Sequence, residues 1–187
     1  MLYLSKGMIL KESTKQNLCV TLYGCDFILT GIGAGLWLAA RFKANTTIEE
    51  KEVRHLRKLQ ELGLVELSDE EGTDAYYSLL TRCIICPAND KLFQIRLTRE
   101  EKLVWLWISK AGLRLTIGEL VKIYDSNVEP ALELFGKENA QNLTLAIYSD
   151  DLLFDTVPDV QMAHSPHKDK VVEAILGLMR KKRIILI

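Results

Sequence analysis

The sequence predicts an α+β chain of two similar units in tandem, the second enlarged by an insertion. Three observations carry this expectation. The stretch from Arg54 to Leu79 reads as a helix running into a β-hairpin, both halves repeat the same landmarks, and both halves close on a helix that turns straight into a strand. In the first stretch, apolar Val53, Leu56 and Leu59 recur at helical spacing, Gly63 closes the helix, and Leu64-Val65-Glu66-Leu67 alternates as a strand. Residues from Asp69 to Asp74 supply a turn, and Ala75-Tyr76-Tyr77-Ser78-Leu79 returns as the partner strand. The repeated landmarks are Leu29-Thr30, Trp37 and Thr47-Ile48-x-Glu50, which parallel Leu97-Thr98, Trp105 and Thr116-Ile117-x-Glu119 at a nearly constant offset. The closing segments are LQELGLVEL from Leu59 and LMRKKRIIL from Leu178.

The remaining elements follow in order. Asn17 to Tyr23 and Cys25 to Thr30 read as two strands turning at Gly24, followed by a glycine-rich start to a helix that carries Trp37. The turn cluster Pro87-Ala-Asn-Asp90 divides a first unit, residues 1–90, from a second, residues 91–187. In the second unit Thr98-x-x-Glu101 is a capping box, in which hydroxyl and carboxylate each satisfy a backbone donor at the helix start. The helix it opens is apolar nearly all round from Leu103 to Ile108, as expected of a core helix. Thr116 and Glu119 repeat the capping pattern. The insertion, at about 125–164, contains a predicted strand over 143–148 and a turn at 150–151. Pro166 suits the first position of the final helix.

With these residues in view, Arg54 to Leu79 resembles the recognition helix and wing of winged-helix DNA-binding regulators of the arsenic-repressor and multiple-antibiotic-resistance-regulator type. The resemblance implies tandem winged-helix-like units and a transcriptional regulator whose partner is double-stranded DNA. Helical projection puts Lys51, Arg54, His55 and Lys58 on one face, opposite Val53, Leu56 and Leu59. On a recognition helix, such residues neutralise phosphates or donate to guanine, so these four are the expected DNA-binding residues. The competing reading is a solvated face balanced by Glu49, Glu50, Glu52 and Glu61.

The order of strands, a helix with a central Trp, and a helix ending in Gly-Leu-Val is also similar to the leader-peptide-binding winged helix of the pyrroloquinoline quinone peptide chaperone type. That resemblance implies a protein or peptide interaction module, with a peptide adding a strand to a sheet edge. Two features favour it. Glu66, Asp69, Glu70, Glu71 and Asp74 place five carboxylates where a wing would approach phosphates, and the span from Thr46 to Gly63 leaves about one turn for a supporting helix.

Bulk properties narrow the field. The chain has 187 residues, 48% of them hydrophobic and 26% charged, with a formal net charge of -1, so any affinity for nucleic acid must come from local segregation of charge. The uncharged run from Phe27 to Ala40 falls short of the ~20 apolar residues that a membrane-crossing helix needs, and no signal-peptide pattern is present, so the expected location is cytoplasmic. Cys83-x-x-Cys86 has zinc-ligand spacing, but Cys19 and Cys25 are too far apart in sequence to form a second knuckle, and free thiols are expected instead. Gly31-x-Gly33-x-Gly35 places its third glycine one position early for a dinucleotide-binding turn, so glycines that allow close helix packing are the expectation. His164 and His167 beside Asp169 read as a polar loop and cap rather than a metal site, and Arg180-Lys-Lys-Arg183 as cations at a helix C-terminus. No spacing suggests a catalytic set, and no enzyme activity, cofactor or metal is expected.

Overall fold

A four-residue strand, β1 (Leu2–Ser5), is buried on both faces at the centre of the molecule. The computed structural model describes residues 1–14, 16–88, 96–110, 115–127 and 157–187; the strand expected over 143–148 and the turn at 150–151 lie outside them. β1 runs antiparallel to both neighbours, β5 (Asn45–Thr46) and β6 (Val65–Ser68), with Tyr3 opposite Asn45 on one side and Leu67 on the other. Because strand side chains alternate, Leu2 and Leu4 enter one hydrophobic cluster and Tyr3 the other.

The cluster around Tyr3 is built by a second sheet and two helices. In that sheet β2 (Met8–Ile9), β3 (Leu18–Leu22) and β4 (Cys25–Leu29) form an antiparallel meander. The hairpin turns at Tyr23-Gly24 as expected, both residues at positive φ (51° and 81°), which is the two-residue type I′ geometry. Leu36 and Trp37 of α1 (Gly31–Ala39) and Leu56 and Leu59 of α2 (Glu50–Glu61) cover its inner residues Leu18, Val20, Leu22 and Leu29. The Trp37 indole donates to the Lys6 carbonyl at 3.0 Å, which fixes α1 against the end of β1.

The two closing segments adopt one geometry. At the end of α2, Gly63 (φ 72°) donates to the Gln60 carbonyl at 2.8 Å and Leu64 to that of Leu59 at 2.9 Å. At the end of α7 (Lys168–Arg180), Lys182 (φ 56°) donates to Met179 at 2.8 Å and Arg183 to Leu178 at 2.9 Å. Both are Schellman closures, with a lysine in the second where the first has glycine. After each closure comes a strand, β6 in one case and β8 (Ile184–Leu186) in the other. β8 pairs antiparallel with β7 (Ile85–Pro87), as β6 pairs with β1, and Leu115 bridges Ile85 on the far side, as β5 flanks β1. The pairing at the two closures is alike, but the order differs: α2 alone follows the Thr47 landmark and closes on β6, whereas the helix at Thr116 is not the one that closes on β8, and β7 lies before the expected division at residue 90. α4 (Arg99–Lys110) and α5 (Ile117–Asp125) both begin at their expected capping boxes: Glu101 reaches back to the Thr98 amide at 2.7 Å, and Glu119 to that of Thr116 at 2.7 Å.

Four expectations need correction. The returning strand over Ala75–Leu79 does not form; the segment belongs to α3 (Gly72–Leu80), with Ala75, Tyr77, Leu79 and Leu80 buried. The reason lies in the core. Ala75, Leu79 and Leu80 are buried as a helix in the cluster that also holds Leu2 and Leu4, while β6 takes its strand partner from β1 and not from the segment that follows it. Between α1 and α2 there is no supporting helix, since residues 40–49 hold only β5. The last helix starts at Lys168, so Pro166 precedes it, and Ser165 accepts from the His167 amide at 3.0 Å. Finally, Gly33 and Gly35 allow no close packing, because a Cβ at either would meet nothing within 4 Å.

α5 is closed at its start by α6 (Val157–Met162). The Asp159 carboxylate accepts from the Gly118 amide at 2.8 Å and from the Thr116 hydroxyl at 3.2 Å, while its carbonyl accepts from the Tyr77 hydroxyl at 2.8 Å. A Cβ at Gly118 would lie 2.6 Å from both the backbone nitrogen and the Cα of Asp159. Backbone cannot yield there as a side chain could, so Gly118→Ala should cost about 2 kcal/mol in denaturant unfolding, and wild-type stability in the variant would contradict this packing. Burial holds the Asp159 carboxyl above the ordinary range, the bonds from Gly118 and Thr116 oppose the rise, and the charge of Glu119 adds to it. Its contribution to stability is thus present below the ordinary Asp pKa and lost as pH rises through the raised value. Asp159→Asn keeps the acceptor and removes the charge, so wild type should lose stability relative to the variant as pH climbs above the ordinary Asp value of about 4. Parallel stability curves would refute the assignment.

Candidate functional site

The first candidate surface is the outward face of α2. Leu56 and Leu59 are buried beneath it, and Lys51, Arg54 and Lys58 are exposed on the opposite side. His55 is half-buried, and its Nδ1 lies 2.8 Å from the Lys51 carbonyl, which engages one ring nitrogen within the helix itself. Arg54 pairs with Glu50 one turn earlier, and both are well exposed, at 73% and 81%. Such i,i+4 pairs contribute little to stability and exchange readily with solvent. Arg57, Gln60 and Glu61 are also exposed on this helix, so the face carries mixed charge rather than a continuous positive stripe.

The carboxylates assigned to a wing are dispersed. Glu66 points inward and pairs with Lys6 at 2.7 Å and with Arg82 at 3.6 Å. Asp74 pairs with Lys168 across to α7, and that ammonium holds its carboxyl below the usual range. Only Asp69, Glu70 and Glu71 remain as an exposed acidic run, in the connection between β6 and α3.

The second candidate is the edge of the β2–β3–β4 sheet. Among the described residues β4 pairs with β3 alone, so the amides and carbonyls along its other side have no strand partner. The other edge strands of the two three-stranded sheets differ, and in the two-stranded sheet β8 is buried and β7 is bridged by Leu115. β2 and β5 are two residues long, and β6 is almost wholly buried. The face of this sheet away from the core places Ile28 opposite Cys19, and Asp26 opposite Thr21, which in turn pairs with Met8. Ile28 is 69% exposed, Met8 42% and Tyr23, at the turn, 65%. A five-residue open strand with an uncovered Ile is the arrangement that soluble proteins usually blunt with charge or proline. Sequence reading missed this edge because Phe27-Ile28-Leu29 is continuously apolar, and such a run does not reveal which member faces outward.

Residues singled out for other chemistry do not converge. Cys83 is buried, its thiol donates to the Leu79 carbonyl at 3.3 Å, and burial pushes it up to about 12, which makes a poor nucleophile or ligand. Cys19 and Cys25 lie on β3 and β4, outside either core cluster, Cys19 half-buried and Cys25 exposed. Among the described residues no group of three His, Cys, Asp or Glu side chains is placed to hold a metal. His167 and Ser165 both bond to the Asp125 carboxylate, at 2.7 Å each, and so tie the start of α7 to the end of α5. Because the Ser165 hydroxyl donates to Asp125 and not to the imidazole, these three lack the geometry of a nucleophile activated by His. Gly31 opens α1 at φ 54°, and no βαβ unit surrounds it.

No helix among the described residues is long and apolar enough to cross a membrane. Comparison with known protein families, with curated proteins and with solved structures finds no match to this chain.

Proposed function

We propose that this chain is a protein and peptide interaction module built on two winged-helix-like units, and that it takes an extended polypeptide along the open edge of β4. The observation that carries this reading is the unpaired side of β4 beside exposed Ile28 and Tyr23. An added strand would satisfy backbone groups now left to water, while alternate side chains of the ligand would meet Ile28 and the neighbouring apolar surface. The winged-helix part of the reading draws on the closing helix-to-strand segments, each of which ends in a Schellman closure followed by a strand in an antiparallel pair. Loss of the wing hairpin to α3 and the absence of a supporting helix weigh against groove docking. The test is selection of linear peptides from a displayed library, followed by amide chemical-shift mapping. Selected peptides should perturb residues 25–29, and Ile28→Lys, which places a solvated charge on the edge, should weaken them about tenfold or more. Peptides that map elsewhere, or that bind the variant equally, would sink the reading.

A DNA-binding transcriptional regulator is the second reading, and the exposed Lys51, Arg54 and Lys58 on α2 are what favour it. In a titration of labelled duplex at several salt concentrations, replacing Arg54 and Lys58 by Ala should flatten the salt dependence by about one unit for each phosphate that is no longer neutralised. An unchanged slope would remove α2 from any DNA interface.

A further inference from the structure

We infer that the polypeptide taken by the open edge of β4 is an extended segment in which two adjacent apolar residues are followed by a lysine or arginine, and that Asp26 selects it. The inference rests on the β4 reading above and adds the chemistry of the partner. Among the described residues β4 is flanked on one side alone, within a sheet that is antiparallel throughout. A segment laid on its free side in the same sense continues that sheet, and antiparallel pairing is the more stable per residue. Each residue of the segment then stands beside one residue of β4 and shares its face, with Cβ atoms about 5 Å apart. The side chains of β4 thereby dictate the pattern of their partners.

Asp26 is the only charged residue in β2, β3 and β4. The register puts it on the outward face, because Thr21 opposite it is half-buried while Val20 and Leu22, on either side of Thr21, point into the core. Its side chain is exposed, and among the described residues it makes no hydrogen bond or ion pair. Along the same row Met8 faces Thr21, so the carboxylate borders apolar surface rather than a counter-charge. Lys11 and Glu12 follow β2, which lies across β3 from β4, and their signs are opposite. Aspartate is poorly suited to a strand, and at an open edge a lone charge deters pairing with any segment that cannot match it. A basic residue directly opposite matches it, whereas an acidic one is repelled. Two positions along the same face, exposed Ile28 gains contact from an apolar partner, and between them half-buried Phe27 packs against the cluster around Trp37. From its N-terminus an antiparallel segment therefore reads apolar, apolar, basic, opposite Ile28, Phe27 and Asp26.

The experiment compares linear peptides selected from one displayed library on the wild-type chain, on Asp26→Asn and on Asp26→Lys, each pool mapped by the amide shifts of residues 25–29. Wild type should enrich lysine or arginine after an apolar pair, Asp26→Asn should lose that preference, and Asp26→Lys should replace it with glutamate or aspartate. In the tightest wild-type peptide, exchanging the basic residue for glutamate should weaken binding about fivefold at low salt and less at physiological salt. Peptides that map to β4 without a charge preference, or with one that Asp26→Lys leaves unchanged, would overturn the inference and leave the β4 reading intact. Peptides that map elsewhere on all three proteins would remove both. Self-association of Asp26→Asn with an unchanged set of selected sequences would show that Asp26 only deters pairing between copies of this chain, and the inference would fail.

Discussion

Everything in this fold is arranged around a short strand with no solvent face. β1 is paired on both edges and buried on both sides, so its four residues must satisfy two sheet neighbours and two hydrophobic clusters together. The consequences extend to the next residues. Lys6 donates its amide to Leu64 at 2.9 Å, and Gly7 (φ 109°) donates to Leu186 at 2.8 Å, so the segment from residue 2 to residue 7 binds both closing strands. A Cβ at Gly7 would lie 2.8 Å from Val20 Cγ1 and 2.9 Å from the Thr21 carbonyl oxygen, which makes glycine a requirement of this crossing on two counts.

The polar group next to that strand has a different role. Lys6 is buried, with its ammonium held by Glu66 at 2.7 Å and by the Arg82 carbonyl at 3.2 Å. Desolvating two charges offsets most of what their attraction contributes, so the pair adds little to stability compared with well-packed apolar side chains. What it supplies is selectivity. A β1–β6 register slipped by one residue would send Glu66 toward the wrong face and leave the Lys6 ammonium buried without a partner, a state far costlier than the correct pairing.

Local signals in the sequence were legible, and non-local ones were not. The Tyr23-Gly24 turn, both capping boxes and the helix-to-strand closure at Gly63 depend on residues within a few positions of one another, and each stands where its side-chain chemistry indicated. The supposed wing failed because β6 takes its strand partner from Leu2 to Ser5, about sixty positions away, and not from the segment that follows it. Within Ala75-Tyr-Tyr-Ser-Leu79 the alternation is genuine, yet a nine-residue helix buries Ala75, Tyr77 and Leu79 in a cluster assembled from distant segments. The candidate sites divide in the same way. That Lys51, Arg54 and Lys58 face solvent followed from helical spacing, whereas the open side of β4 comes from how the sheets assemble.

The hydrogen bond from Gly7 to Leu186 joins segments that lie far apart in sequence. Leu2 and Leu4 are therefore buried only when β6 and the segment around β8 have both arrived, and closure over such a distance slows folding and prolongs the exposure of apolar surface. A change that loosens either closing strand should thus be felt first as slower folding and a greater tendency to aggregate from the unfinished state.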